Sequence, residues 1–205
     1  MALDCIVKAG GISNLNEARY CAGMGVDFLG FNCDPGQPGY TDPGFYREIT
    51  SWISGVKFTA EFRTHDAAII LHSLEHFRVD LIEIRHPRLL VDLENSGLPM
   101  MLRLPSDDQS DMSLSGLLER WPDNLEYLIL EFRHMPPEIP PDRVRALVDN
   151  GAQILIAADF RSDQVRPFLE RWSPAGLALP GGDDIRPGEL DFFAFAEILE
   201  VLECD

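Results

Sequence analysis

Basic residues are scarce in this sequence. Its 205 residues include 17 Lys and Arg against 34 Asp and Glu, a formal net charge of −17. That balance argues against nucleic acid as a partner, because phosphate backbones call for a basic footprint. It argues equally against an anionic membrane surface. Long apolar runs are missing as well: none approaches the roughly 20 residues of a membrane span. The opening M-A-L-D lacks the basic segment and apolar core of a secretory signal. Cysteine is sparse and scattered. Cys5, Cys21, Cys33 and Cys204 form no C-x-x-C pair, so they read as reduced thiols of a cytoplasmic protein and not as a disulfide framework. No cofactor and no metal is implied. An acidic, soluble chain suits a small-molecule ligand or a protein partner.

What the sequence does contain is alternation. Eight short apolar runs read as strands: C5-I-V-K, V26-D-F-L-G-F, V56-K-F-T-A-E-F, V79-D-L-I-E-I-R, P99-M-M-L-R-L, L125-E-Y-L-I-L-E-F, A152-Q-I-L-I-A-A and G176-L-A-L. Most are bounded by Gly, Pro or Asp, as buried parallel strands are. Helical patterns follow them. The first is capped by Ser13 or Asn14 and carries Leu15, Ala18 and Ala22 on one face. The others span about 43–53, 65–77, 87–96, 113–121, 140–150, 162–172 and 189–203, with Pro167 expected to kink or delay the seventh. S106-D-D-Q-S-D-M-S reads as an exposed loop. Eight strand–helix units in this length predict an α/β fold, a single (β/α)8 barrel over residues 1–205. An open doubly wound sheet is the runner-up, without a Gly-rich dinucleotide fingerprint to support it.

A barrel carries its site at the C-terminal ends of its strands. The residues expected there are polar: Lys8, Asn32, Cys33, Asp34, Glu61, Arg63, Glu83, Arg85, His86, Arg103, Glu131, Arg133, Asp159, Arg161, Asp183 and Asp184. Glu83 and Glu131 interrupt apolar strands. If they face inward they are either paired with the nearby arginines, as a network plugging the mouth, or functional. Cys33 is a candidate base if Lys8 or Arg63 lowers its pKa, and otherwise a buried strand-end thiol.

Other features have plainer readings. H72-S-L-E-H76 matches the inverted zinc-protease pattern, with two histidines one helical turn apart. The helix would lie on the outer ring and no third ligand suggests itself, so a polar helix face is expected. His86 and His134 follow strand-end arginines and have no evident partner. The phenylalanine-rich C-terminal helix is expected to pack on the barrel wall, the alternative being a subunit interface.

The N-terminal stretch K8-A-G-G-I-S-N14 resembles the K-I-C-G-I-T-N pattern of the phosphoribosylanthranilate isomerase family. The resemblance continues through E17-A-R-Y-C-A-G-M-G-V-D-F-L-G-F, D34-P-G-Q-P-G-Y40, P180-G-G-D-D184 and P187-G-E-L-D191. It spans the chain in strand order and is most specific over the first forty residues. It implies a (β/α)8 barrel and an Amadori rearrangement of a phosphorylated ribosyl-anthranilate. In the family, a cysteine ending the first strand is the base and an aspartate ending the sixth is the acid. An arginine after the second strand holds the anthranilate carboxylate, and backbone N–H groups after strands seven and eight hold the phosphate.

Residue by residue, the machinery is altered. Gly10 stands where the base belongs, and Glu131 where the acid belongs. Gly39 replaces the carboxylate-binding arginine. Asp159 stands in the seventh phosphate loop, where a negative charge repels phosphate. Gly181 and Gly182 still allow close backbone approach, with Asp183 directly after them. Losing a base alone costs about 10²–10⁴-fold in rate.

Three readings follow. The first is a diverged barrel without ordinary isomerase activity that binds a small polar ligand or a protein partner. Its site would comprise Lys8, Gly10, Arg63, Arg85, Arg133, Asp159, Gly181, Gly182 and Asp183. It expects the mouth carboxylates to be tied to Arg63, Arg85, Arg103 or Arg133. The second is an active isomerase on this or a related aminoaldose, using Glu131 with Glu83, Cys33 or Glu61 as relocated base. The third is a non-catalytic structural or regulatory subunit, which expects a closed mouth and a large apolar surface patch.

Overall fold

The eight apolar runs close on themselves. In a computed structural model the parallel strands are β1 (Ile6–Ala9), β2 (Phe28–Asn32), β3 (Lys57–Glu61), β4 (Leu81–Ile84), β5 (Met100–Pro105), β6 (Leu125–Glu131), β7 (Ile154–Ala157) and β8 (Gly176–Leu179). They form a closed barrel in sequence order, with β8 returning to pair with β1. The structure describes residues 3–106, 121–136, 141–179 and 192–204. The expected loop from residue 107 onward, most of the expected helix 113–121, and Gly181, Gly182, Asp183 and Asp184 lie outside them.

Helices on the outside connect the strands: α1 (Leu15–Gly23), α2 (Pro43–Thr50), α3 (Ala67–Leu74), α4 (Leu89–Asp92), α5 (Asp142–Asp149), α6 (Ser162–Trp172) and α7 (Phe192–Leu202). Their starts follow local chemistry. Asn14 caps α1 by accepting from the N–H groups of Asn16 and Glu17, and Asp42 caps α2 through those of Gly44 and Phe45. The expected helix at 87–96 is only one α-turn followed by a 3₁₀ turn, Glu94–Ser96, stopped at Gly97 with φ 73°. Pro167 does not delay the helix, which starts at Ser162 as expected. Helix α6 runs through it, giving up one backbone hydrogen bond. Among the described residues no helix is long and apolar enough to cross a membrane.

The core has two layers. Phe28, Leu81, Met101, Tyr127, Ile129, Leu155, Ala157 and Ala178 fill the barrel itself. The alternate strand residues, among them Val7, Leu29, Phe31, Ile82 and Ile156, point outward against the helices. Helix α7 belongs to this outer layer through Phe195, Ile198, Leu199 and Leu202, all buried, so it packs on the barrel wall. Above the apolar filling, toward the C-terminal ends of the strands, the interior turns ionic.

Candidate functional site

Register creates a charge problem at the mouth. Glu61 on β3 lies directly beside Glu83 on β4, and both face inward. Two adjacent carboxylates repel unless a cation stands between them. Lys8, reaching from β1, is that cation. It is fully buried, and its Nζ pairs with Glu61 Oε1 and lies 2.8 Å from Glu83 Oε2. The second oxygen of Glu61 accepts from the backbone N–H of Gly11 at 3.1 Å. Glycines leave room for this pair. A Cβ on Gly30 would fall 1.9 Å from Glu61 Oε1 and 2.7 Å from Lys8 Nζ.

The network continues around the rim. Arg103 Nε donates to Glu83 Oε1 at 2.6 Å, and its NH1 donates to Glu131 Oε1 at 3.2 Å. Arg85 NH1 donates to the other Glu131 oxygen at 3.3 Å. Three cations, Lys8, Arg85 and Arg103, thus hold three carboxylates, Glu61, Glu83 and Glu131. Burial pushes the Glu83 carboxyl up, but Arg103 and Lys8 outweigh it and hold the group well below the usual carboxylate range. Burial pulls Arg103 down, and Glu83 more than restores it.

Asn32, Glu61, Phe62, Arg63, Glu83 and Arg85 line a cleft of about 30 Å³ beside this network, room for one or two waters. Asp34 is buried nearby. Its carboxylate accepts from the backbone N–H groups of Arg63 and Thr64 at 2.9 and 2.8 Å, tying the loop after β2 to the loop after β3. Asn32 stiffens the same loop by donating to the carbonyl of Pro38.

The structure therefore brings together Lys8, Glu61, Glu83, Arg85, Arg103 and Glu131, with Gly10 at their edge and exposed Arg63 on the cleft. It settles that Glu131 points into the mouth. Cys33 does not join them. It is fully buried in the layer between sheet and helices, and burial, reinforced by Glu61, pushes its thiol far up. The lowering by Lys8 or Arg63 that a base at Cys33 would require is absent, and Cys33 is the buried strand-end thiol of the alternative reading. Asp159 and Arg133 are exposed beyond the ends of β7 and β6. Arg161 pairs with Asp163, two residues on in α6. His86 has the partner the sequence did not suggest. His65 Nδ1 lies 2.5 Å from His86 Nε2, with the rings nearly perpendicular. Burial and, secondarily, His65 lower the His86 pKa. Both residues closely follow a strand-end arginine, as T64-H65 after Arg63 and His86 after Arg85, and that shared position was the signal available for pairing them.

Curated relatives align with nearly the whole chain. The N-(5'-phosphoribosyl)anthranilate isomerase of Maridesulfovibrio salexigens is 22% identical over 197 residues, covering 91% of this chain and 93% of the relative. That of a Synechococcus species is 24% identical over 215 residues, covering 96% and 89%. Over nearly its whole length the chain is similar to phosphoribosylanthranilate isomerases. Solved phosphoribosylanthranilate isomerases share the fold. That of Thermus thermophilus matches with a TM-score of 0.76 at 19% identity over 96% of this chain and 98% of its own. That of Thermotoga maritima matches with 0.76 at 16% identity over 97% and 98%. No family model matches the chain.

Two of the departures from the family pattern have a structural setting. A Cβ on Gly10 would lie 2.8 Å from Glu61 Oε1 and 3.3 Å from Lys8 Nζ, so a carboxylate crowds the space into which a side chain there would project. Gly39 has φ 74°, a left-handed conformation that an arginine adopts only with strain.

Proposed function

We propose that this chain is a phosphoribosylanthranilate isomerase-type barrel that binds a small polar ligand at its C-terminal mouth without carrying out the ordinary isomerase reaction. The observation that carries this reading is the pairing, among the described residues, of the three inward-facing mouth carboxylates Glu61, Glu83 and Glu131. Glu61 has both oxygens engaged, by Lys8 and by the Gly11 N–H. Glu83 lies between Arg103 and Lys8. Each oxygen of Glu131 accepts from a guanidinium.

An Amadori rearrangement needs one group to deliver a proton to the ring oxygen and another to take one from the adjacent carbon. At the first position, a proton on Glu131 would displace a guanidinium bond. At the second, Gly10 offers no acceptor. The charge-balanced network suits a zwitterionic or polyhydroxylated ligand, whose own donors and acceptors can exchange with these pairs, better than a bare phosphate. A protein partner at the same face is the other form this reading takes.

One observation favours an active enzyme instead: Glu61 Oε1 stands where a side chain on Gly10 would project, the place of a relocated base. Turnover of phosphoribosylanthranilate by the purified chain decides between the two readings, together with growth of a tryptophan auxotroph lacking this isomerase. We expect no growth and turnover at background. Growth with turnover that E61Q abolishes would replace this reading with the relocated base.

A further inference from the structure

Helix α3 and the turn after it carry a cluster of titratable groups that the mouth does not use. His72, Glu75 and His76 are all exposed, while Ile70 and Ser73 of the same helix are buried. Spacings of three and four residues place the three on one face within a single turn. His72 Nδ1 lies 3.4 Å from Glu75 Oε2. The two imidazole rings stand 5.5 Å apart, centroid to centroid, at 83°. One donor atom from each of the three residues lies within 4.8 Å of the others. Among the described residues this is the one set of three such ligands drawn so close.

We propose that His72, Glu75 and His76 form a surface site for a divalent transition-metal ion. Two donors bound tetrahedrally to zinc at about 2.0–2.1 Å stand about 3.3–3.4 Å apart. The His72–Glu75 separation already equals such an edge, and rotation of exposed side chains closes the remainder. The ligand that the sequence pattern left unassigned is Glu75, which supplies a donor from within the motif. Two imidazoles with one carboxylate select Zn²⁺, Ni²⁺ or Cu²⁺ over Mg²⁺ and Ca²⁺, which prefer all-oxygen shells. Three protein ligands leave a fourth position for water. The net charge of −17 raises the local concentration of dications. As a mere ion pair, His72–Glu75 would contribute little, since both side chains are largely in water.

The test is equilibrium dialysis of the full chain against Zn²⁺ with excess Mg²⁺ present. One zinc per chain is expected in the wild type, with none at this site in H72A/H76A. E75A should release zinc at lower competing chelator. The controls H65A/H86A and C204A should retain it, excluding the other histidine pair and the exposed thiol. All three ligands are exposed, so folding of the variants, checked by circular dichroism, is expected to be intact. Failure of the wild type to retain zinc, or equal retention by H72A/H76A, would overturn the site.

Discussion

Glu61 Oε1 lies 2.8 Å from the point a Cβ on Gly10 would occupy. The backbone at Gly10 is not in the left-handed region, so a side chain there is opposed by Glu61 and not by the main chain. G10C should therefore destabilise the fold by about 1–3 kcal/mol through overpacking. E61A removes the obstacle, so G10C should cost clearly less in that background. A double-mutant cycle from urea denaturation measures the coupling. Strict additivity would mean that Glu61 does not occupy the space beside Gly10.

Gly30 faces the same pair from β2, more tightly. A Cβ there falls 1.9 Å from Glu61 Oε1 and 2.6 Å from its Cδ. G30A should lower stability by about 1–3 kcal/mol. G23A is the matched control, because nothing lies within 4 Å of its new methyl group and it sits at the end of α1. It should be neutral or slightly stabilising. Equal thermal shifts in the two variants would contradict this packing.

Lys8 is the centre of the network. K8M leaves Glu61 and Glu83 side by side without their shared cation. Breaking a buried pair in this way costs about 3–5 kcal/mol. Adding E61Q to K8M removes one of the two stranded charges and should recover part of that loss. A fall in melting temperature that E61Q deepens would show that Lys8 is not holding the carboxylates.

Glu83 gives the network an acid limb. Its folded pKa is held well below its ordinary value of 4.5 by Arg103 and Lys8, against the upward push of burial. The unfolded chain therefore takes up this proton first as pH falls. The stabilisation is full above about 4.5 and is lost progressively below it. Urea unfolding free energies should accordingly be insensitive to Glu83 between neutral pH and about 5, then decline. In E83Q, less stable at neutral pH, the decline should be shallower by up to one proton. An unchanged slope would remove Glu83 from the acid response.

The mouth shows how far local pattern reaches. The strands were legible because they are short apolar runs, most of them bounded by Gly, Pro or Asp, and burial on both faces favours that composition. Helix α4 was over-read, since Leu89, Leu90 and Leu93 keep a helical spacing that Gly97 ends after little more than a turn. The outward position of Cys33 was legible in principle. It follows Asn32, and alternation from inward Gly30 and Asn32 turns it to the helices. The sequence placed His65 inside the helix expected at 65–77, whereas α3 begins at Ala67 and leaves His65 in the loop that faces His86.

The sequence by itself determined the order of strand and helix, the strand-end positions of Lys8, Glu61, Glu83, Arg103 and Glu131, the missing side chain at position 10 and the acidic charge. All of these are properties of single residues or of short periods. Tertiary structure alone decided that Lys8, 53 residues from Glu61, is its partner. It also decided that Glu131 points inward and that Glu75 stands beside His72. Those facts depend on strand register summed around a closed barrel and on side-chain direction at a helix end. A one-residue change in register would turn every one of the mouth carboxylates outward.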